Sequence, residues 1–176
     1  MVKLLLAGTG LIGHRHMQHI LEHPDLELVG IIDPLITDEK IEGVKTYSSL
    51  SDVNKHADGI ILATPTETHA DLTIKSLEMG LHVLVEKPVA ASLLEADKMI
   101  CASEKTGLSI LVGHHRRHHP LVSETINILN SGKIGRPVAA SLMWLMRKQD
   151  EYFDVDWRKG IDGGPVKQNL IHDVDT

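Results

Sequence analysis

Apolar stretches recur along the first two thirds of the chain, separated by segments in which apolar residues have helical spacing. The apolar stretches predict six strands, at residues 2–7, 26–32, 44–47, 59–63, 81–85 and 108–112. Strands that alternate with helices are typical of an α/β doubly wound parallel sheet, whose ligands bind at the carboxyl ends of the strands. The first 120 residues are therefore predicted to form a domain with the Rossmann fold.

Capping residues and helix stops mark the segments between these strands. The predicted helices cover residues 11–21, 68–79 and 93–105. Pro24 and Gly80 end the first two, and Ser92 caps the third. A further helix, capped by Ser48 or Ser51, is predicted after the third strand.

The pattern changes after Pro120. We expect a helix over 122–129, a strand over 137–145 and the start of another helix over 166–174, with a polar loop at 150–162. These elements offer too little apolar surface for a core of their own. The chain is therefore predicted to contain a dinucleotide-binding domain (1–120) and the incomplete start of a second, α+β domain (121–176).

Composition and charge argue against several kinds of partner and against an intrachain disulfide. The net charge of −6 argues against nucleic acid as a partner, because phosphates are bound by clustered Lys and Arg. No stretch reaches the ~20 apolar residues of a membrane span, and the apolar start lacks the length of a signal peptide. We expect a cytoplasmic protein with no membrane partner. The single cysteine, Cys101, excludes an intrachain disulfide, and its apolar helical spacing predicts a buried thiol.

The sequence LLLAGTGLIG joins a short apolar strand to a G-x-G-x-x-G pattern. Gly8 permits the tight turn, Gly10 lets the backbone approach a pyrophosphate, and Gly13 lets the helix pack closely on the strand. Leu11 and Ile12 complete the helix N-terminus at which phosphates bind. The alternative is a tight turn without a ligand. A strand before, a helix after and a carboxylate about 20 residues on favour the dinucleotide.

That carboxylate is Asp33, at the end of the second strand. A carboxylate there accepts hydrogen bonds from the ribose hydroxyls of NAD and repels the 2′-phosphate of NADP. No arginine lies beside it in the segment DPLITDE. The sequence therefore favours NAD over NADP, with an Asp that caps a turn as the alternative.

Three more motifs follow strands four, five and six: ATPTETH, EKP and GHHRRHHP. With the later GPVKQNLIHDVD, they resemble the glucose–fructose oxidoreductase/inositol dehydrogenase (Gfo/Idh/MocA) family over essentially the whole chain, in the expected order. The resemblance implies an NAD-dependent dehydrogenase. Members of the family are about twice as long, and their second half completes the substrate pocket and often builds a dimer interface.

Lys87 and His172 are the candidate catalytic residues. A partly desolvated lysine at a strand end, with its pKa lowered by burial, can hydrogen-bond a substrate oxygen and relay its proton. The resemblance gives Lys87 this role and implies a cis peptide before Pro88. An imidazole titrates near working pH, which makes His172 the candidate general base. The alternatives are a surface lysine and a helix histidine with no catalytic role.

The resemblance also assigns binding residues. It places Thr64, Pro65, Thr66 and His69, with Glu86 and Lys87, at the cofactor, whereas a Thr-Pro turn that opens a helix explains the first four equally. Gln168 stands where many members carry an aspartate, so the acid–base support of His172 is in question. Gln168, Asn169 and Arg116 are the candidate substrate-binding residues. Arg116 and Arg117 are each expected to hold a substrate group or to pair with Glu86, and at least one to be structural.

Twelve histidines include two pairs at i, i+4 spacing in the segment HHRRHH. Such pairs bind zinc on an α-helix, but the segment begins at a strand end and contains no acidic residue or cysteine. We predict no metal site.

Two functions of different classes remain. The first is an oxidoreductase that transfers a hydride between NAD(H) and a polyol, sugar or cyclitol, or a portion of one. The alternative is a non-catalytic NAD-binding protein or an inactive relative. The unpaired apolar segment 139–146 predicts a homo-oligomer, because an unpaired apolar edge invites pairing with a second copy.

Overall fold

The computed structural model describes residues 1–54, 56–154, 159 and 169–175. The chain divides into two compact units, Met1–Gly113 and His114–Thr176, and each is described by itself. Among the described residues, none of the helices combines the length and the apolar character needed to cross a bilayer.

The first unit contains a seven-stranded sheet. Its strands are β1 (Val2–Ala7), β2 (Leu26–Ile32), β3 (Lys40–Ile41), β4 (Val44–Tyr47), β5 (Gly59–Leu62), β6 (His82–Val85) and β7 (Ile110–Val112). They lie in the order β3-β4-β2-β1-β5-β6-β7, and all neighbours are parallel except β3 and β4. Without β3, this is the 3-2-1-4-5-6 order of the Rossmann fold, which confirms the predicted fold class.

Helices cover both faces of this sheet. Successive residues of a strand point to opposite faces, so Leu5 and Leu6 of β1 belong to two different apolar clusters. Met17 and Ile20 of α1 (Leu11–Glu22) pack into the cluster of Leu6. The cluster of Leu5 receives residues from α2 (His69–Glu78) and α3 (Leu93–Thr106). Burial on both faces explains why β5 is a continuous apolar run.

The hairpin of β3 and β4 is absent from the sequence prediction. Its two-residue turn consists of Glu42 and Gly43, which both have positive φ (49° and 79°), as a type I′ turn requires. Glu-Gly is not one of the usual pairs for this turn, and β3 has only two residues. The sequence offers little signal for it.

Two other predictions in this unit are wrong. The helix predicted after the third strand is only a 3-10 turn, Leu50–Asp52, and Ser49 caps it rather than Ser48 or Ser51. Cys101 is exposed rather than buried. In α3, all of whose residues are described, Met99 is the buried one, and at 100° per residue Cys101 lies about 200° around the helix from it.

The second unit contains α4 (Pro120–Asn130) and α5 (Ile171–Asp175). Pro120 occupies the first turn of α4, where its missing N–H is not needed. The predicted strand over 137–145 is wrong, because residues 137–145 have no regular secondary structure. A strand needs a partner ladder, and the described part of this unit supplies no other strand.

Candidate active site at the carboxyl edge of the sheet

The glycine turn after β1 is closely packed at two of its three glycines. Gly8 has φ +89°, and a Cβ there would lie 2.5 Å from the carbonyl oxygen of Ala63, after β5. A Cβ on Gly13 would overlap the carbonyl oxygen of Gly8. β1 and β5 are the strands between which the chain reverses its order across the sheet. The turn therefore lies at the point where this fold binds its ligands.

Gly10 differs from the other two. Apart from Gly10 and its two chain neighbours, no described residue has an atom within 4 Å of a Cβ built on Gly10, and no described side chain caps the N-terminus of α1 that it begins. Leu11 and Ile12, in the first turn, are exposed. An open, uncapped helix N-terminus presents backbone N–H groups to an anion, and its dipole favours negative charge. These residues fit the pyrophosphate of a dinucleotide.

Asp33, directly after β2, reaches back to this turn. Its Oδ2 accepts hydrogen bonds from the N–H of Thr9 (3.0 Å) and from the Thr9 hydroxyl (2.6 Å), and its Oδ1 accepts from the N–H of Leu35 (3.0 Å). Burial raises the pKa of Asp33, but these hydrogen bonds outweigh burial and hold the pKa below its usual value. Asp33 is therefore an ionised carboxylate fixed beside the glycine turn. Sequence reasoning missed Thr9 as its partner.

The loop after β5 carries the Thr-Pro-Thr motif. Thr64 and Thr66 are half-buried and Pro65 is exposed, and a 3-10 turn, Thr66–Thr68, leads into α2. The Thr68 hydroxyl lies 2.7 Å from Oγ1 of Thr64. His69 lies beneath this loop rather than on its surface, because only 1% of it is exposed.

The Glu86-Lys87-Pro88 segment follows β6, the neighbour of β5. Lys87 is half-buried, and the peptide bond between Lys87 and Pro88 is cis, as the family resemblance implies. Gly113 packs against Glu86, since a Cβ there would lie 2.9 Å from the carboxyl carbon of Glu86. The carboxyl edge thus brings Thr64, Glu86 and Lys87 to adjacent strand ends.

His16 of α1 holds Glu86 in place. Its Nε2 donates to Oε1 of Glu86 at 2.9 Å, and the N–H of Lys87 donates to Oε2 at 3.2 Å. Burial raises the pKa of Glu86, but the hydrogen bond and charge of His16, followed by the contributions of Lys87, outweigh it and lower the pKa. Sequence reasoning missed this pair; the signal available was a histidine one turn into the glycine-motif helix.

We expect Glu86→Gln to remove a pH-dependent part of the stability. A lowered folded-state pKa stabilises the protein above the ordinary value of 4.5, and this contribution is lost as the pH falls through the folded-state value. At pH 5 the variant should be less stable by about 1.5–3 kcal/mol, a typical contribution of a hydrogen bond to a charged group. The difference should shrink below pH 4.5. Urea unfolding of both proteins between pH 5 and 3 measures it.

The control for this experiment is Glu78→Gln, at an exposed carboxylate at the end of α2. Its stability should follow that of the unaltered protein at every pH. A Glu86→Gln difference that stays constant from pH 5 to 3 would contradict the assigned ionisation.

The second unit brings together the segment HHRRHHP, residues 114–120, and the segment IHDVD of α5. Arg116 pairs with Asp173 and Arg117 with Asp175, whose carboxylate accepts from Nε of Arg117 at 2.8 Å. The hydrogen bond from Arg117 comes first among the causes that lower the pKa of Asp175, and the pair raises the pKa of Arg117. Both arginines thus have aspartate partners from α5, which the sequence did not identify.

His172 of α5 is buried, with 8% of it exposed. Its ring centroid lies 4.7 Å from that of His115 and 6.3 Å from that of His114, both in edge-on contacts. Asn169 Oδ1 accepts from Nζ of Lys148 at 3.3 Å. Gln168 lies outside the described residues.

The histidine segment does not form the α-helical pairs that would bind zinc. His115–His118 is a 3-10 turn, in which i and i+4 do not share a face. In the described part of the chain, no group of three or more His, Cys, Asp or Glu residues is arranged to hold a metal ion.

Known proteins are similar to this chain in sequence and in structure. The sequence model of an oxidoreductase family with an NAD-binding Rossmann fold (GFO_IDH_MocA) matches residues 2–114. The scyllo-inositol 2-dehydrogenase (NAD(+)) of Bacillus subtilis is 31% identical over 147 residues, which are 78% of this chain and 42% of that protein. The 4-carboxy-2-hydroxymuconate-6-semialdehyde dehydrogenase of Sphingobium is 31% identical over 141 residues, 76% of this chain and 44% of that protein.

The crystal structure of the WlbA dehydrogenase from Bordetella pertussis, in complex with NADH and UDP-GlcNAcA, has a TM-score of 0.86 to this chain. The two are 29% identical, and the match covers 99% of this chain and 53% of that one. The chain thus spans about half the length of the relatives it matches. From its match to the family over residues 2–114 and its Rossmann sheet, the chain belongs to the Gfo/Idh/MocA family of NAD-binding oxidoreductases.

Proposed function

We propose that this chain binds NAD(H) at the carboxyl edge of its sheet and takes part in hydride transfer to or from a polyol, sugar or cyclitol. The observation that carries the proposal is the open glycine turn at Gly10, with the ionised Asp33 fixed beside it. When bound, the nicotinamide supplies the hydride chemistry. The residues of this chain bind and orient the reactants and move the proton.

NAD, rather than NADP, is the proposed cofactor. Asp33 is held ionised by three hydrogen bonds, so a 2′-phosphate beside it would meet a fixed negative charge. The segment that follows Asp33 contains Asp38 and Glu39 and no arginine. Bound NAD(H) in related structures, such as WlbA with NADH, is consistent with this choice.

Lys87 is the proposed proton relay. It is half-buried at a strand end, and its neighbours Glu86 and Pro88 are each held by other side chains of the sheet edge. A lysine in this position can hydrogen-bond the substrate oxygen and pass on its proton. His172, buried among histidine rings, is the second proposed proton-transfer residue. Arg116, Gln168 and Asn169 are the proposed substrate-binding residues.

The test is NAD reduction with a panel of polyols, sugars and cyclitols, compared between the unaltered chain and Lys87→Ala. We expect the variant to lose 10²–10⁴-fold in turnover, the usual contribution of a general acid or base, while NAD affinity changes little. Lys75→Ala is the control, because Lys75 is an exposed lysine on α2 paired only with the exposed Asp71 in the described contacts. Turnover that survives Lys87→Ala would contradict the role of Lys87.

A second candidate function is NAD binding without catalysis. It is favoured by Gln168, which stands where the family resemblance implies an aspartate in many members, because an amide cannot hold the negative charge that would support His172. NAD binding with no turnover on any member of the panel would support this candidate over the first.

The proposed assembly is a cytoplasmic homo-oligomer. Residues 138–146 expose several large apolar side chains, among them Val138 (88%), Met143 (80%) and Leu145 (85%). An apolar segment of this kind is stabilised by association. We expect light scattering at micromolar concentration to give a mass of at least two chains; a monomer mass would contradict the proposal.

A further inference from the structure

His69 joins two loops of the carboxyl edge. Its Nε2 lies 2.9 Å from the carbonyl oxygen of Thr64, after β5, and its Nδ1 lies 2.8 Å from the carbonyl oxygen of Pro88, after β6. β5 and β6 are neighbours in the sheet. One imidazole ring therefore spans the loop of the Thr-Pro-Thr motif and the loop of Lys87.

Both ring nitrogens of His69 face backbone carbonyls, which only accept hydrogen bonds. Each nitrogen that carries a proton donates to its carbonyl, and the ring is 1% exposed. Neither nitrogen is directed at a cofactor or substrate. His69 acts on a ligand only through the two loops that it joins.

We infer that His69 is a positioning residue that sets the spacing between the cofactor loop at Thr64 and the proton-relay residue Lys87. The inference rests on the proposed function, because it gives a role to Lys87 and to the Thr64 loop. Two contacts support the inference. His16 contacts Glu86 and His69 contacts Pro88, and Lys87 lies between these two residues in the chain. A misplacement of about 1 Å between reacting groups lowers turnover by about 10²-fold.

Two variants separate the two contacts. The amide of Asn places an N–H near the position of Nδ1, so His69→Asn keeps a donor at the carbonyl oxygen of Pro88 and removes the contact with Thr64. The longer Gln places its amide near Nε2, so His69→Gln keeps a donor at the carbonyl oxygen of Thr64 and removes the contact with Pro88. His69→Leu removes both.

The contact between His69 and the Thr64 loop is tested by calorimetric measurement of the affinities for NADH and for ADP. ADP lacks the nicotinamide half of NADH, so only the NADH affinity should depend on this loop. We expect ADP affinity within about twofold of the unaltered chain in all three variants. NADH affinity should fall tenfold or more in His69→Asn and His69→Leu and stay within threefold in His69→Gln. His19→Gln, at an exposed histidine of α1, is the matched control and should change neither affinity.

The contact between His69 and Pro88 is tested by the rate at which acetic anhydride acetylates Lys87, measured by mass spectrometry of the peptide that contains it. The exposed Lys75 is the internal reference. We expect the relative rate at Lys87 to change threefold or more in His69→Gln and His69→Leu and to be retained in His69→Asn. A purely structural role would make His69→Asn and His69→Gln behave alike in both measurements, and that result would overturn the inference.

One measurement needs no variant. In the unaltered chain, ¹⁵N–¹H spectra should show a ring N–H of His69 protected from solvent exchange, and a freely exchanging ring would overturn the inference. If the unaltered chain binds neither NADH nor ADP, the proposed function fails together with the inference. If it binds NADH and the His69 variants bind like it, only the inference fails.

Discussion

Gly10→Ala is expected to leave the fold intact and to lower NAD affinity at least tenfold. Gly10 has φ −65° and ψ −175°, which any residue adopts, and no described residue beyond its two chain neighbours has an atom within 4 Å of the added Cβ. The free energy of unfolding of the Gly10→Ala protein should differ from that of the unaltered chain by less than about 1 kcal/mol, the difference between Gly and Ala at an N-cap. The new methyl group occupies the space through which the pyrophosphate approaches the backbone. A tenfold loss corresponds to about 1.4 kcal/mol of binding free energy.

Gly13→Ala is the contrasting variant. Its Cβ would overlap the carbonyl oxygen of Gly8, and neither backbone can move without displacing the strand or the helix. We expect a destabilisation of about 3 kcal/mol or more, at the upper end of overpacking. Thermal unfolding and calorimetry of the two variants measure both effects. A stable Gly10→Ala protein with unaltered NAD affinity would contradict the placement of the pyrophosphate at this turn.

The second large effect is expected at Asp33. Asp33→Asn removes the negative charge that would face the 2′-phosphate of NADP in the proposed site, and it exchanges a carboxylate oxygen that accepts from Thr9 or Leu35 for an amide. We expect NAD affinity to fall, NADP affinity to rise, and the preference for NAD to shrink by at least tenfold. The free energy of unfolding should fall by about 1.5–3 kcal/mol, because a hydrogen bond to a charged group is lost.

Asp38→Asn is the matched control for this prediction. It removes the same charge five residues away, at an exposed position. Its titrations with NAD and NADP should match those of the unaltered chain. If Asp38→Asn shifts the preference as much as Asp33→Asn does, the effect comes from net charge and not from a carboxylate fixed beside the glycine turn.

The sheet could be predicted from the sequence because its signal is local. β5 and the other central strands are buried on both faces, so they appear as continuous apolar runs between turn residues. The glycine motif and Asp33 were recognisable for the same reason, since each follows a strand directly. The elements that the sequence did not predict correctly depend on contacts with other elements of the fold. Residues 137–145 have the composition of a strand, but the described part of their unit offers no strand to pair with.

In the candidate site, too, local patterns predicted some features and not others. Sequence reasoning placed Lys87 and Thr64 at strand ends, but the contacts that hold them come from distant residues. His16 and Glu86 are 70 residues apart, and His69 and Pro88 are 19 apart. Such pairs are determined by the packing of α1 and α2 on the sheet, which no local pattern describes. For the same reason the sequence does not reveal that His69, which the family resemblance places at the cofactor, is buried and contacts the carbonyl oxygens of Thr64 and Pro88.

A calorimetric titration of the unaltered chain with NAD and with NADP, at one salt concentration, shows whether the glycine turn and Asp33 form a cofactor site. The proposed site should bind NAD saturably and NADP at least tenfold more weakly. Binding of neither nucleotide would contradict it, because the open turn at Gly10 and the carboxylate of Asp33 would then form a strand-to-helix connection that holds no cofactor.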